Sequence, residues 1–111
     1  MDSFELADVL AEHSRSNRLY YEFFQAPALS LGLYVLPAGS ADPQSPHTED
    51  EVYYVVNGSG MIQVAGEDRA VAAGSMVYVG QDVQHQFHSI TEDLTLLVFF
   101  APARRSSTAS G

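Results

Sequence analysis

The chain contains no cysteine and no lysine. The first absence removes disulfides, thiolate nucleophiles and sulfur metal ligands together, and the second removes Schiff-base chemistry. Positive charge is also scarce: five arginines face fourteen acidic side chains, for a formal net charge of -9 at pH 7. A field of that sign repels nucleic acid and anionic lipid over most of the surface, so neither is expected as a partner. No apolar run approaches the ~18 residues of a membrane span. The N-terminal stretch MDSFELADVLAEHS carries acid where a signal peptide carries base, so a soluble, cytoplasmic protein is expected. Chemistry is left to His, Asp, Glu, Tyr, Ser and Thr.

What is present points to one β-rich domain. A chain of 111 residues buries roughly 65% of the surface its unfolded form exposes, enough for one core and not two. Phe4, Leu6, Ala7, Val9 and Leu10 recur with helical periodicity, and Asp2 with Glu5 fits a capping box, which predicts a short amphipathic helix over 2–12. Beyond Arg18 the sequence changes to short β-branched and aromatic runs broken by Gly, Pro, Asn or Asp. These predict strands over 19–25, 29–36, 52–56, 61–65, 69–72, 76–79, 84–90 and 94–100. Eight short strands suit an all-β closed barrel or jelly roll. Asn57-Gly58 reads as a tight hairpin turn because both residues tolerate positive φ, and Gly66-Glu67-Asp68 marks the next reversal. The expected organisation is a single domain over 1–102 with its barrel over 19–100. Residues 103–111, rich in Ser and Ala, are expected to form a mobile tail.

The most informative stretch is GSADPQSPHTEDEVYYVVNG, from Gly39 to Gly58. It sets His47 and Glu51 close together beside an apolar run. In a straight strand rising ~3.3 Å per residue their Cα atoms would stand ~13 Å apart, too far to share one metal at ligand distances of ~2 Å. Thr48, Glu49 and Asp50 are therefore expected to bend the chain, with His47 ending one strand and Glu51 opening the next. Alternation then puts Tyr53 and Val55 on the face of Glu51, and Val52, Tyr54 and Val56 on the other. An inward carboxylate on an apolar wall needs a cation or a hydrogen-bond donor. A second stretch, GSMVYVGQDVQHQFHSI from Gly74 to Ile90, reads as strand, glycine turn and strand. It places His85 and Phe87 on one face and His88 on the other. These residues alone leave open both a metal site and a buried imidazole–carboxylate cluster without metal.

The two stretches resemble the paired signatures of the cupin superfamily. The first family motif is Gly-x5-His-x-His-x3-4-Glu-x6-Gly and the second is Gly-x5-Pro-x-Gly-x2-His-x3-Asn. Gly39, His47, Glu51 and Gly58 fall on the first, while Gly74 and His85 fall on the second. Ser45 stands where the first-motif histidine is expected, and Gly80, Asp82 and Ser89 replace the Pro, Gly and Asn of the second. The resemblance covers Leu31 to Phe100. It implies a double-stranded β-helix (jelly-roll) barrel with a short N-terminal helix added, and a metal at the open end held by His47, Glu51 and His85. Two histidines and one carboxylate form the ligand type of non-haem Fe(II) sites that leave positions open. Imidazole and carboxylate suit Fe, Mn, Ni, Cu and Zn alike. Gln44 is a candidate fourth ligand, as is Ser45, directly or through water.

Other residues carry weaker signals. Tyr53 shares the face of Glu51, so its hydroxyl is a candidate to reach bound substrate as a catalytic group, with a structural hydrogen bond the alternative. His88 is expected at the surface. His13 is expected at the helix end, where a protonated imidazole meets the carbonyl end of the dipole. Glu49 and Asp50 are expected to form a solvated acidic rim. The resemblance implies either a metal-dependent dioxygenase, isomerase, epimerase or lyase acting on a small organic molecule, or a non-catalytic small-ligand module with a structural metal. The apolar outer residues Val52, Tyr54 and Val56 call for cover by the N-terminal segment or a second subunit, which makes a homodimer the simplest expectation.

Overall fold

The computed structural model of the protein describes residues 1–43 and 46–105; Gln44, Ser45 and residues 106–111, most of the expected tail, lie outside the described residues. Along the chain stand α1 (Leu6–Ser16), β1 (Tyr20–Ala26), β2 (Leu29–Leu36), β3 (Asp50–Val64), β4 (Glu67–Ala72), β5 (Met76–Val79) and β6 (His85–Ala101). The strands form one antiparallel sheet in the order β1-β2-β6-β3-β4, with β5 on the free edge of the first half of β3. The sheet curls so that alternate residues of β2, β3 and β6 meet inside it. Tyr34, Leu36, Tyr53, Val55, Ile62, Phe87, Leu94, Leu96, Val98 and Phe100 form the core. This is the expected all-β jelly-roll barrel with a short N-terminal helix.

Two of the expected boundaries do not exist. The runs read as strands at 52–56 and 61–65 are one strand, β3, and those at 84–90 and 94–100 are one strand, β6. Asn57-Gly58 is therefore not a hairpin turn. Gly58 has φ +97°, and a Cβ there would come 2.1 Å from the carbonyl oxygen of Asp93. The β3–β6 register shifts between Val55 and Asn57, Asn57 and Ser59, and Ser59 and Met61. Such bulges bend a long strand while its ladder continues. The bend lets β3 hold β5 along its first half and β4 along its second. The true hairpin lies at Ala65-Gly66, one residue before the expected reversal. Both residues are left-handed, with φ 50° and 85°, and Val64 pairs with Glu67, the requirement of a two-residue turn matched to strand twist.

The helix starts and ends four residues later than expected. Its N-cap is Glu5, which makes no side-chain capping bond, so the Asp2–Glu5 capping box does not form. Asn17, with φ 59°, closes the C-terminal end in the left-handed conformation that suits it. His13 lies in the last turn and bonds the carbonyl oxygen of Leu19 at 2.8 Å rather than the helix's own terminal carbonyls. The helix packs on β1 and β2, burying Val9, and ahead of it the Phe4 ring meets Phe23 edge-on with centroids 5.1 Å apart. Among the described residues no helix is long and apolar enough to cross a membrane. Past β6, the backbone N–H of Ala103 bonds Pro27, that of Arg104 bonds the Ser30 hydroxyl and that of Arg105 bonds the Glu49 carboxylate.

Candidate metal centre

Three separate parts of the chain supply the site. Glu51 lies in the first half of β3, between Val79 of β5 and Phe100 of β6. Strand alternation turns it inward with Tyr53, as the sequence pattern requires. His85 opens β6, beside Val64 at the far end of β3. His47 comes from the irregular segment before β3, with the chain bent at Thr48 and Glu49. The bend falls where it was expected, but His47 does not end a strand, since the preceding one stops at Leu36.

That irregular segment is pinned by a carboxylate the sequence did not single out. Asp42, 3% exposed, accepts from the Tyr34 hydroxyl at 2.5 Å and from the Phe87 backbone N–H at 2.9 Å. Its own carbonyl oxygen accepts from Gln86 Nε2 at 3.1 Å. The His47 carbonyl oxygen accepts from Asp82 N–H at 2.7 Å. The segment is thus tied to β2, to β6 and to the turn before β6.

The three side chains converge. Glu51 Oε1 lies 2.9 Å from His85 Nε2 and 3.4 Å from His47 Nδ1. One potential ligand atom from each residue lies within 4.8 Å of the others. His47, Glu51 and His85 are 1%, 2% and 4% exposed. His85 Nδ1 donates to the Val83 carbonyl oxygen at 2.9 Å, which leaves Nε2 to face Glu51. The Tyr53 hydroxyl is 3.0 Å from that Nε2. The His47 ring leans on Phe100, with centroids 4.9 Å apart.

These residues fit a bound cation. Neither ring nitrogen of His47 has a hydrogen-bond partner among the described residues, nor does Glu51 Oε2. Buried polar atoms left so cost about 1–3 kcal/mol each, and a metal ion would satisfy one nitrogen of His47 together with Glu51 Oε2. His85 already has the arrangement of a metal-binding imidazole, one nitrogen tied to a carbonyl and the other facing the cluster. Burial acts to raise the Glu51 carboxyl, but the imidazoles of His47 and His85 outweigh it and hold the group below its ordinary range. Burial acts to lower His85, yet its bonds to Glu51 and to the Val83 carbonyl raise it.

Other expected positions separate clearly. His88 is off the site, at the surface, with Nε2 2.7 Å from Asp68 Oδ1. Gln44 and Ser45 lie outside the described residues. Of the expected acidic rim, Asp50 is partly exposed and Glu49 is not solvated. Glu49 is 2% exposed and accepts from Thr48 Oγ1 at 2.5 Å and Arg105 N–H at 3.0 Å, while Asp50 accepts from Gln81 N–H at 2.9 Å. Both carboxylates are used to fix the bend beside His47 and the chain after β5. For Asp42 and Glu49, nothing in the local sequence distinguishes a buried anchor from an ordinary loop acid.

A curled antiparallel sheet with an imidazole and a carboxylate on its inner wall, joined there by a second imidazole from the segment before β3, defines a small β-barrel protein with an interior polar site. The chain belongs to the cupin domain family, which it matches over residues 32–100. It is 46% identical over 102 residues to an uncharacterized protein of Streptomyces coelicolor, SCO3923, a match spanning 92% of this chain and 97% of that one. Among solved structures it superposes on an RmlC-like cupin from Shewanella frigidimarina with a TM-score of 0.69 and 23% identity, covering 78% of this chain and 77% of that one. KdgF from a Halomonas species superposes with a TM-score of 0.68 and 19% identity over 79% of each chain. At such identities the two structures speak for the fold alone.

Proposed function

We propose that the protein is a metal-binding cupin whose divalent ion, Fe, Mn, Ni, Cu or Zn, is held by His47, Glu51 and His85 and engages a small organic molecule. The observation that carries this is His47: an imidazole 1% exposed, with both ring nitrogens unpartnered among the described residues and a carboxylate beside it. A bound ion would act as a Lewis acid toward a carboxylate, enol or carbonyl oxygen of its ligand, or as an activator of oxygen. Oxygenase, isomerase and lyase chemistry all use such a centre. The first test is metal analysis of the purified protein with thermal shifts on adding each of the five ions. One ion per chain is expected; no stoichiometric ion and no stabilisation would sink the proposal.

A second reading, a non-catalytic ligand-binding module with a structural metal, is favoured by the burial of the site. Surface hollows of about 450, 300 and 220 Å³ are lined by Gln25 and Arg105, by Arg69 and Tyr78, and by Phe23 and Leu97 among others, and by none of the three candidate ligands. An ion sealed among them would contribute folding energy without meeting substrate. Water exchange at the loaded centre separates the two. Paramagnetic relaxation of solvent protons by bound Mn(II) supports an accessible ion, and its absence a sealed one.

A further inference from the structure

We propose that the hydroxyl oxygen of Tyr53 is the fourth protein donor to the metal, taking the part of the imidazole that Ser45 does not supply. The proposal rests on the reading that His47, Glu51 and His85 hold an ion.

The contact that points to it is at His85. With Nδ1–H committed to the Val83 carbonyl oxygen, the lone pair of the neutral ring is on Nε2, the atom an ion would take. Two oxygens converge on that nitrogen, Glu51 Oε1 at 2.9 Å and the Tyr53 hydroxyl at 3.0 Å. In the metal-free arrangement Glu51 Oε1 accepts a hydrogen bond from that nitrogen, and groups that gather around it are placed to meet at the ion that replaces the nitrogen's proton. Residues 51 and 53 share the inner face of one strand, so a single backbone element fixes both oxygens.

Tyr53 is also held as a ligand should be. It is 1% exposed, and its ring packs edge-on against Phe87 with centroids 4.9 Å apart and planes at 84°. A side chain locked by packing loses little further freedom when it binds. Oxygen donors suit the harder divalent ions, and tyrosine is an established iron ligand in other proteins.

The test loads the wild-type protein and Tyr53→Phe with Fe(III) for visible spectra and with Zn(II) for competition titration against a chelator. His47→Ala serves as the control without metal. The expected result is a visible phenolate-to-iron charge-transfer band in the wild type that Tyr53→Phe lacks. Zn(II) affinity should fall at least tenfold in Tyr53→Phe, the lower end of the range seen when a metal site loses even an outer-shell partner. If Tyr53→Phe does not fold, the wild-type spectrum decides alone. One iron per chain with no such band, or unchanged Zn(II) affinity in Tyr53→Phe, would overturn the proposal while leaving the three-ligand centre intact. Failure of the wild type to take up either ion would remove the centre, and this fourth donor with it.

Discussion

Oε1 of Glu51 lies 2.9 Å from Nε2 of His85, although the two residues come from strands that open at opposite ends of the β3–β6 ladder. Only the curl of the sheet brings them together. His47→Ala and His85→Ala should each abolish stoichiometric metal uptake while leaving a folded barrel, because neither side chain belongs to the strand ladder. Plasma emission spectroscopy and far-ultraviolet circular dichroism read the two effects separately. Metal retained in both variants would show that the ion sits elsewhere.

The pH dependence of stability should differ between the metal-free and the loaded protein. Glu51 is held below its ordinary value of 4.5 by the two imidazoles against the effect of burial, and His85 is raised above 6.5 by Glu51 and the Val83 carbonyl, again against burial. A depressed carboxyl stabilises above its unfolded value and loses that as pH falls through its folded one. A raised imidazole stabilises below its unfolded value and loses that as pH rises through its folded one. In the metal-free protein the pair therefore contributes fully between 4.5 and 6.5 and less on either side. Metal must displace protons from its ligands, so loaded stability should instead gain on the metal-free form as pH rises. Melting temperatures of both forms from pH 5 to 8 check this; a constant gap would contradict it.

Asp42 should matter to stability and to metal affinity alike. Its carboxylate accepts from Tyr34 and from the backbone of Phe87 in a buried setting, where a hydrogen bond to a charged group contributes about 1.5–3 kcal/mol. Asp42→Ala should cost about 3 kcal/mol in urea denaturation. Asp42→Asn should cost less, since the amide oxygen can still accept from one partner. Because the same loop presents His47, metal affinity should fall in Asp42→Ala, and an unchanged affinity would show that the loop is held without it.

Much of this arrangement was legible in the sequence. The strand at 29–36 and that at 76–79 fall where alternation and turn residues put them, and the inward pair Glu51 and Tyr53 follows from the two-residue period of a strand. What was not legible has a common cause: side chains and backbone decided by partners far away in sequence. Asn57-Gly58 has the local chemistry of a hairpin turn, yet Asp93 and Leu94 lie against it from β6 and make it a bulge. Glu49 looks like a surface acid until the backbone of Arg105 arrives to meet it.

The same bulge yields a graded prediction. At Gly58 a Cβ would meet the Asp93 carbonyl oxygen at 2.1 Å with φ +97°, whereas Gly74, with φ +95°, has open space around it. Gly74→Ala should cost about 1 kcal/mol, the strain of positive φ alone, and Gly58→Ala about 2 kcal/mol or more because backbone must also move. Equal midpoints for the two variants in chemical denaturation would mean that the β3–β6 bend can relax around a side chain.

The outer face of the barrel carries the last prediction. Tyr54 sits between Met76 of β5 and Leu97 of β6, and Val52 between Tyr78 and Phe99, so six apolar or aromatic residues share one patch. The helix packs instead on β1 and β2, leaving Tyr54, Met76 and Tyr78 at 36%, 73% and 63% exposure. A chain with a net charge of -9 resists self-association over most of its surface, so a patch this poor in charge is where a second copy would meet it. Light scattering at micromolar concentration should return a dimer, and Tyr54→Glu combined with Met76→Glu should return a monomer that still binds metal. A monomeric wild type would leave the face to some other partner, and loss of metal in the double variant would tie the interior site to the assembly.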